Sequence, residues 1–599
     1  MGTNDRIFFT VELKTHLCAL GCQTTFCPKV MASPYPSLQT VDLPAPVIWD
    51  VKPTPSFQTD LETRFKPLQS TYPGMVRFGK SNKYSPFLRF DHQYHLEGFL
   101  DGVPQRSGTF SGRIRAFKDS IPNENTMDIS GFCKITHLLD AYRMIQGNYP
   151  MSQHPALPAP GRKSAKVYSK IHDPHNQAYV DAVACYMLSK FREADHSPHF
   201  SLFYGAYLAI AKEYYYNITE DFSEIRFESW FWRKKAQGVF KLIGFEGETP
   251  LDGDDTLMMP PDDLPDESSC DSDESDSEKS DSEVSVSELH DADNVGNIDS
   301  ESLHSASIAT ASTKCDSDDS DSDSLGNEMK IFAALPEFPT MLMFLEANKN
   351  TMDSLLDNSP DMTTRPGSSE WESQWAAWLF QVIAALCPLQ SLWAMTHNDL
   401  HSNNILWTPT DKEYIYYTTN DKRRWRVPTY GKLFRVIDFG RAIYTHNGIL
   451  CISDDYWPEN EAGSQYNFGP LYNPKEPRVY PNPSFDLCRL SVSIFEALFT
   501  ETPEDRSDTV LSSEPDRVQN ETTSDLYNIL WSWLIDDDGR NILWDTDQSE
   551  RYPGFDLYRV IAQKVKGAVP REQLEKAPFI GFCFSGAVPE GQKVYSLFC

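Results

Sequence analysis

A long apolar segment that leads directly into a polar one limits what this 599-residue chain can fold into. The segment SSEWESQWAAWLFQVIAALCPLQSLWAM places its apolar residues three and four positions apart, which predicts a buried helix. Ser369 and Glu372 form a predicted capping box at its start, and Pro388 should kink or interrupt it. Its longest apolar run, WAAWLFQVIAALCPL, is shorter than the ~20 residues that span a bilayer. We therefore expect a core helix that carries MTHNDLHSNNILW, residues 395–407, into the interior.

The polar residues of this stretch allow several interpretations. His397 and His401 lie four positions apart, as two zinc ligands on a helix would, but the zinc motif also requires a glutamate after the first histidine. The sequence HNDLHSNN has no glutamate there, and its asparagines and serine disfavour a helix. A metal site formed by the two histidines is therefore disfavoured, whereas a helix end followed by a polar turn remains an alternative to an active site.

Two carboxylates and one amide follow each other in an order that suits phosphoryl transfer. Asp399 and Asn404 are five residues apart and precede the strand-like ILW, and Asp438 ends the strand-like run FRVID. Transfer of a phosphoryl group from ATP requires one carboxylate to orient the attacking hydroxyl and accept its proton. It also requires an amide oxygen and a second carboxylate to hold Mg²⁺ on the phosphates. These three residues can supply the groups, so we expect an active site.

The motifs resemble those of the protein-kinase superfamily. HNDLHSNN and the later IDFG are similar to the kinase catalytic loop and metal-binding loop, and EFPTMLMFLEANKN is similar to the last N-lobe strand and the hinge near Glu346. YPNPSFDLCRLSVSIFEAL resembles the helix whose buried aspartate, here Asp486, hydrogen-bonds the catalytic loop. Over residues 95–250 and 330–575 the chain more narrowly resembles protein-kinase-like proteins of large DNA viruses, in the stretches FCKITHLLD, NQAYVDAVACYMLSKF, SPHFSLFYGAY, EAGSQY, NPSFDLCRL and ERYPGFDLYRVIA.

The resemblance implies an α+β chain with a bilobal protein-kinase-like fold, a small sheet-rich N-lobe and a larger helical C-lobe. ATP and Mg²⁺ would be the cofactors, and the γ-phosphate would pass to a protein hydroxyl, of serine or threonine more readily than of tyrosine. In this scheme Asp399 is the catalytic base. The residues expected to bind the cofactors are Lys134, Asp181, Glu346, Gly108, Gly112 and Gly440 for ATP, and Asn404 and Asp438 for the metal.

Two lysines are candidates for the residue that would pair with the ATP phosphates. Lys134 in GFCKITHLL and Lys170 in KVYSKI both have the sequence context of a strand. We favour Lys134 because its flanks are more apolar, as in a central strand, and because a long connection separates it from the next predicted helix. That helix lacks a central glutamate, so Asp181 is the expected partner. SGTFSGRI, with Gly108 and Gly112, is the expected phosphate-covering loop, although glycines at this spacing are common in hairpins.

Several positions depart from the kinase pattern. Asn398 stands where many kinases have an arginine that pairs with a phosphorylated activation loop, which argues against such a switch. His401 replaces a lysine common in serine/threonine kinases, and HxDxHxxN is closer to small-molecule phosphotransferases of the aminoglycoside or choline type. The loop between Asn404 and Asp438 is long, and its DKRRWR predicts a hairpin whose basic tip is solvated or docks a substrate. A small-molecule phosphotransferase and a catalytically weak pseudokinase that acts as a binding module therefore remain alternatives.

Composition divides the chain into segments. Between Asp252 and Glu328, 25 acidic residues and two lysines give a net charge of −23 out of −32, so the rest of the chain carries only −9. That Ser/Asp-rich tract is too polar to bury a core and should be disordered, and the mild charge elsewhere gives no argument for nucleic-acid binding. The predicted segments are a proline-rich extension without a core of its own (1–93), the first part of the N-lobe (94–251), the acidic insertion (252–328), the last N-lobe strand and hinge (329–350) and the C-lobe (351–599) with a polar loop (501–526).

The cysteines and the N-terminal residues indicate the compartment. The 12 cysteines follow no repeating frame, and Cys18, Cys22 and Cys27 lack a fourth partner at zinc spacing. Reduced thiols in the cytoplasm fit this distribution better than disulfides, and MGTNDRIFFTVELK is too charged for a signal peptide. We expect a cytoplasmic protein, in the host cytoplasm or the virion if it is viral, that acts on a protein substrate and binds neither nucleic acid nor membrane. The sequence leaves the oligomeric state open.

Overall fold

The structure, a computed structural model, describes residues 38–79, 85–118, 120–149, 156–158, 168–246, 249–250, 260, 329–356, 359–458, 460, 462–514, 517–545 and 547–599. The described strands are β1 (Ile48–Asp50), β2 (Phe65–Gln69), β3 (Leu88–Phe90), β4 (Tyr94–Phe99), β5 (Gly108–Lys118), β6 (Ile121–His137), β7 (Phe203–Asn217), β8 (Lys241–Glu246), β9 (Thr249–Pro250), β10 (Met329–Glu346), β11 (Asn350–Thr351), β12 (Ile405–Pro409), β13 (Tyr414–Thr418), β14 (Arg424–Pro428), β15 (Lys432–Val436), β16 (Tyr444–His446), β17 (Ile449–Cys451), β18 (Asp505–Glu514), β19 (Arg517–Thr522) and β20 (Val594–Ser596). The described helices are α1 (Pro55–Glu62), α2 (Pro73–Val76), α3 (Ala141–Gln146), α4 (Ser169–His172), α5 (Gln177–Glu193), α6 (Phe222–Ile225), α7 (Ser229–Ala236), α8 (Ser369–Trp393), α9 (Phe485–Leu498), α10 (Asp525–Trp533), α11 (Asp556–Lys564) and α12 (Pro570–Gln573). The chain is a mixed α+β protein with a sheet-rich first part and a second part that contains α8, the longest of the described helices.

The sheet-rich part is built around one long strand. β10 pairs antiparallel with β7 along most of its length, with β6 through Thr340–Glu346 and with β8 through Met329–Ala334. The order of the main strands is β2–β7–β10–β6–β5–β4. β10 therefore has a partner strand at each edge, and most of its residues are buried, in agreement with its nearly continuous apolar sequence.

The predicted acidic insertion lies outside the described residues, apart from Pro260. It connects β9 to β10, and both of these strands pair with β8. The chain therefore leaves the sheet on one side of β8 and re-enters it on the other. The cysteine cluster considered as a zinc site, Cys18, Cys22 and Cys27, also lies outside the described residues.

The proline-rich extension, predicted to have no core of its own, packs on the large sheet. Among its described residues, β2 pairs with β7 at the edge of the large sheet, and α1 packs against β2 and β4. Phe57 and Leu61 of α1 are fully buried. The helix is capped by the Thr54 hydroxyl and begins at Pro55, where the missing N–H breaks no helical hydrogen bond. Pro55 therefore marks the start of a helix whose buried residues belong to the core of the sheet-rich part.

The helix α8 is buried along most of its length. Ser368 has the extended backbone of an N-cap and accepts a hydrogen bond from the Trp371 N–H, so the predicted cap at Ser369 was wrong by one residue. Pro388 lies inside a helix that continues to Trp393, so it does not interrupt the helix. By length and composition α8 could cross a membrane, but its apolar window is entirely buried, as in the core helix of a soluble protein.

Smaller sheets surround α8 in the second part of the chain. One contains β11, β12 and β15, and another contains β14, β13 and β20. The first places β12 next to β15, so the two loops that hold the predicted catalytic and metal-binding residues adjoin neighbouring strands. Two further hairpins are formed by β16 with β17 and by β18 with β19.

The predicted polar loop at 501–526 is largely the β18–β19 hairpin, so this prediction was wrong. Val510 and Val518 in its strands are about half exposed, at 49% and 58%. A hairpin that lies on the surface needs no continuous apolar face, because its backbone hydrogen bonds provide the pairing. The sequence therefore had no alternating apolar pattern that could reveal the two strands.

The long loop before Asp438 contains the predicted hairpin, formed by β13 and β14. Trp425 of β14 is fully buried, whereas Arg423 at the tip forms ion pairs with Asp421 and Glu575. β13 also pairs in parallel with β20, which ties the hairpin to residues near the end of the chain. Acidic neighbours thus partly neutralise the basic tip, which weakens its interpretation as a substrate-docking site.

Candidate active site

A cavity of about 470 Å³ is lined by residues of the large sheet and of the second part of the chain. Its apolar walls include Phe132 and Leu345 from the sheet, and Leu406 and Val436 from β12 and β15. A cavity of this volume lies in the range of small-molecule sites. Its polar lining includes four of the residues predicted to bind ATP or metal, namely Lys134, Asp181, Glu346 and Asp438.

Lys134 lies between two carboxylates. It sits on β6 opposite Met343 of β10, and its Nζ is 2.7 Å from Asp181 Oδ2 and 2.8 Å from Asp438 Oδ1. Burial disfavours the charge on the ammonium, but the two carboxylates outweigh this effect and raise the pKa of Lys134. The predicted pairing of Lys134 with Asp181 is present, and Lys134 is a fixed cation in the cavity wall.

Asp181 connects the helix α5 to the loop after β15. Its Oδ2 contacts Lys134, and its Oδ1 accepts hydrogen bonds from the Phe439 N–H at 3.0 Å and from the Cys185 thiol at 3.4 Å. The carboxylate is therefore held at both oxygens. Asp181 is 2% exposed, so its hydrogen bonds are shielded from water.

Gly440 lets the helix α5 approach this loop closely. A Cβ atom on Gly440 would lie 2.9 Å from Cγ of Gln177, the first residue of α5. The Gly440 N–H lies 3.4 Å from Asp438 Oδ1. Gly440, which the sequence assigned to ATP binding, thus has a packing role, and it is not among the described residues that line the cavity.

The loop that carries Asp399 is positioned by Asp486 of α9. Asp486 Oδ2 accepts a hydrogen bond from the His397 N–H at 3.0 Å, and its Oδ1 accepts one from the Asn398 N–H at 2.9 Å. Asn398 has a φ of 66°, a conformation that asparagine tolerates better than most residues. Burial raises the pKa of Asp486, although His397 and the two N–H donors favour its charged form. The hydrogen bonds expected between this aspartate and the loop are present.

His397 joins the two loops of the site. Its Nε2 is 2.8 Å from the Ile437 carbonyl oxygen, and its Nδ1 accepts a hydrogen bond from the Asp399 N–H at 3.3 Å. Because Nε2 faces an acceptor and Nδ1 faces a donor, the ring carries its proton on Nε2. Both nitrogens are therefore used in structural hydrogen bonds, which disfavours the zinc site considered for His397 and His401.

Asn404 and Asp438 have the chemistry of a magnesium site. Asn404 Nδ2 lies 2.9 Å from the Asp399 carbonyl oxygen and 3.1 Å from His401 Nε2, which leaves the side-chain oxygen for a cation. Burial opposes the ionisation of Asp438, but Lys134 outweighs it and lowers the pKa of Asp438. An amide oxygen and an ionised carboxylate are hard oxygen ligands, which Mg²⁺ prefers. The residues present therefore fit this metal.

Tyr558 of α11 reaches the predicted catalytic base, a contact that was not predicted from the sequence. Its hydroxyl donates a hydrogen bond to Asp399 Oδ1 at 2.9 Å and accepts one from Arg489 Nε at 3.0 Å. In the sequence, the stretch ERYPGFDLYRVIA contributes only to the kinase resemblance. Nothing in its local pattern distinguishes Tyr558 from an aromatic core residue, so the sequence could not predict its contact with Asp399.

Glu346, predicted near the hinge, lines the cavity at the end of β10, but its side chain is engaged in ion pairs. Arg192 of α5 forms two hydrogen bonds with the carboxylate, and Arg435 Nη1 lies 3.2 Å from Glu346 Oε2. Burial acts in the opposite direction, but the two arginines lower the pKa of Glu346. Its carboxylate is therefore committed to joining β10, α5 and β15, and any contribution to ligand binding would fall to its main chain.

The predicted phosphate-covering glycines lie in a strand. Gly108 begins β5, and Gly112 lies within it, where a Cβ atom would come within 2.6 Å of the Phe110 ring. The connection between β4 and β5 is formed by residues 100–107, and its last residue, Ser107, lines the cavity. The prediction that these two glycines lie in a loop was wrong, because two glycines four residues apart do not distinguish a turn from a strand that packs closely.

Lys170 lies in the short helix α4, so the strand context predicted for it was wrong. Its Nζ is 2.8 Å from Asp454 Oδ2, and Asp454 Oδ1 accepts a hydrogen bond from the Gln177 N–H at 3.1 Å. Burial raises the pKa of Asp454 to about 6, against the effect of Lys170. Asp454 thus ties the segment that follows Asp438 to α4, through Lys170, and to the start of α5. Lys170 is not among the described residues of the cavity wall.

Asn398 also holds the segment that follows Asp438. Its Nδ2 donates to the carbonyl oxygens of Thr396 at 3.2 Å and Arg441 at 3.0 Å, and its Oδ1 accepts a hydrogen bond from the Tyr466 hydroxyl at 2.6 Å. These contacts hold the segment in place. The expected absence of a phosphate-dependent switch stays a prediction.

No protein-family model matches this chain, and no curated protein sequence matches it. The kinase resemblance therefore rests on the short motifs quoted above. Those motifs are far apart in the sequence, yet the fold brings Lys134, Asp181 and Asp438 into direct contact and links Asp438 to Asp399 through His397 and Ile437. The function of the chain is inferred from this geometry.

The two N–H donors held by Asp486 give a stability prediction. We expect Asp486→Ala to lower the free energy of unfolding by roughly 2–6 kcal/mol, because each buried donor left unsatisfied costs about 1–3 kcal/mol. Asp525, also in the first turn of a helix, is the matched control, since it forms a partly exposed ion pair with Arg506. Asp525→Ala should cost at most about 1 kcal/mol. Urea unfolding measures both, and an equal loss in the two variants would contradict the role of Asp486.

Proposed function

We propose that this chain has a bilobal protein-kinase-like fold and transfers the γ-phosphate of ATP to a protein hydroxyl, of serine or threonine more readily than of tyrosine. The large sheet and α5 would form the N-lobe, α8–α12 the C-lobe, and ATP would bind in the cavity lined by both. The observation that carries this proposal is the contact of Lys134 with both Asp181 and Asp438, which come from β6, α5 and the loop after β15. Such a cation suits the phosphates of a nucleotide.

The apolar walls of the cavity suit the other end of the same ligand. Phe132 and Leu345 line it from the sheet, and Leu406 and Val436 line it from β12 and β15. Apolar side chains from two separate elements can bury a flat aromatic base, and burial of apolar surface contributes ~25 cal/mol per Å². A purine base between these walls would place the phosphates towards Lys134.

Each polar residue has a separate task in the proposed reaction. Lys134 would bind phosphate oxygens, and Asp181 would keep its ammonium in place when Asp438 binds the metal. Asn404 and Asp438 would hold Mg²⁺, which when bound neutralises negative charge on the phosphates. Asp399 would orient the acceptor hydroxyl and take its proton. Its Oδ1 already accepts a hydrogen bond from Tyr558, which leaves Oδ2 for the acceptor.

A small-molecule phosphotransferase is the second candidate function. His401, which replaces the lysine common in serine/threonine kinases, lies with its Nε2 3.1 Å from Asn404 Nδ2 and so orients the proposed metal ligand. The histidine in HxDxHxxN therefore takes part in the site. A catalytically weak pseudokinase is a weaker candidate, because Asp399, Asn404 and Asp438 are all present and Lys134 has its acidic partner.

The proposed base gives the central activity test. We expect Asp399→Asn to lower the transfer rate by roughly 10²–10⁴-fold, the usual contribution of a general base, and to leave ATP affinity nearly unchanged. The measurement is transfer of labelled phosphate from ATP–Mg²⁺ to a generic protein substrate, beside a panel of amino alcohols and aminoglycosides. Transfer to the small molecules alone would favour the second candidate. Wild-type turnover in the variant would show that Asp399 is not the base.

The two lysines give a matched pair of variants. Lys134→Met should weaken ATP binding about 10–100-fold, because a hydrogen bond to a charged group contributes ~1.5–3 kcal/mol, and it should abolish transfer. Lys170→Met removes an equally long basic side chain, but one that pairs with Asp454, so it should change ATP affinity only slightly. Calorimetric titration with ATP–Mg²⁺ compares the two, with circular dichroism as a folding control. A larger loss of affinity in Lys170→Met would reverse the assignment.

A further inference from the structure

The hydroxyl of Tyr558 links two charged side chains at the floor of the site. It lies 2.9 Å from Asp399 Oδ1 and 3.0 Å from Arg489 Nε. Arg489 lies in α9, three residues after Asp486, and Tyr558 lies in α11. One hydrogen-bonded chain therefore runs from α9 through α11 to Asp399, separate from the contacts that Asp486 makes with the backbone of the same loop.

The direction of these hydrogen bonds is fixed by chemistry. A guanidinium group can only donate hydrogen bonds, so the Tyr558 oxygen must accept from Arg489. The hydroxyl proton is then directed to Asp399, which in its ionised form can only accept. Burial raises the pKa of Tyr558 to about 12, and the charge of Asp399 acts in the same direction. The hydroxyl therefore keeps its proton near neutral pH.

Tyr558 is held rigidly. The residue is 1% exposed, and its ring stacks on Phe555 with the ring centres 4.9 Å apart and the planes 8° apart. Phe485 of α9 packs at 5.9 Å on the ring, and Arg489 is itself only 3% exposed. A side chain enclosed in this way cannot easily leave its place when a substrate binds.

We infer that Tyr558 is a positioning residue that fixes the orientation of the Asp399 carboxylate through a hydrogen bond to Oδ1. The inference rests on the proposed function, in which Asp399 accepts the proton of the acceptor hydroxyl. With Oδ1 occupied, Oδ2 is the oxygen that faces the acceptor, so the carboxylate need not reorient before the proton moves. Arg489 supports this arrangement by holding the Tyr558 oxygen.

The hydroxyl of Tyr558 could in principle occupy the place of the acceptor hydroxyl and block it. Two observations oppose this alternative. The tyrosine is enclosed by Phe555, Phe485 and Arg489, whereas a blocking group must move away to admit substrate. Asp399 also remains partly exposed, so it can be reached with Tyr558 in place. The two alternatives predict opposite effects of removing the hydroxyl.

The kinetic test uses Tyr558→Phe in the full chain, which keeps the ring and removes only the hydroxyl. We expect kcat to fall about 10–100-fold, as for other residues that orient a catalytic group, with KM for ATP within about twofold of wild type. Tyr527→Phe is the control, since that tyrosine is equally buried in α10 and its hydroxyl lies near Gln519.

A second variant covers the case in which Tyr558→Phe does not fold. Arg489→Lys keeps a cation but weakens the support of the tyrosine oxygen, so kcat should fall in the same direction by a smaller factor. An unchanged kcat in whichever of the two variants folds would overturn the inference. An increase in kcat would also overturn it, because it would show that the hydroxyl blocks the acceptor site.

A structural readout separates this inference from the proposed function. In a crystal structure of Tyr558→Phe, the Asp399 carboxylate should occupy a changed orientation or several orientations, whatever reaction the protein catalyses. An unchanged single orientation would overturn the inference even if the wild-type protein is an active kinase. A wild-type protein that transfers no phosphate, together with a reoriented Asp399 in the variant, would overturn the proposed function and leave the positioning role standing.

Discussion

The contact of Lys134 with two carboxylates is the interaction on which the rest of the site depends. It joins the central sheet, the helix α5 and the loop after β15 at one point, with Nζ 2.7 Å from Asp181 Oδ2 and 2.8 Å from Asp438 Oδ1. In the proposed reaction Asp438 would bind the metal, and a lysine whose sole carboxylate partner was Asp438 would then lose that partner. Because Lys134 also contacts Asp181, it would still be held there when it binds phosphate oxygens.

The second property of the site is that contacts within the chain join its parts. Asp486 fixes the backbone of the loop that carries Asp399, and Asn398 joins that loop to the segment after Asp438. Lys170 and Asp454 tie the same segment to α4 and to the start of α5, which carries Asp181. The arrangement of the proposed active site therefore depends on side chains that lie outside the cavity wall.

The sequence could predict the parts of the site that lie within short stretches. The order of Asp399, Asn404 and Asp438, together with the kinase resemblance, predicted that they belong to one site, and the pairing of β12 with β15 places their loops next to neighbouring strands. Tyr558 could not be predicted, because it is 159 residues from Asp399 and its neighbourhood reads as an ordinary amphipathic helix. The helix α1 could not be predicted from the proline-rich composition, because Thr54 and Pro55 are typical of loops by composition but are here an N-cap and a first helical residue.

The most direct test of this account is the binding of a non-hydrolysable ATP analogue to the full chain, measured by calorimetry with and without Mg²⁺. The account predicts saturable binding at one site that Mg²⁺ strengthens, and loss of the Mg²⁺ effect in Asp438→Asn. It predicts this because Asp438 would hold the metal while Asp181 keeps Lys134 in place. Absence of saturable binding at millimolar nucleotide, or binding that responds neither to Mg²⁺ nor to the change at Asp438, would contradict it.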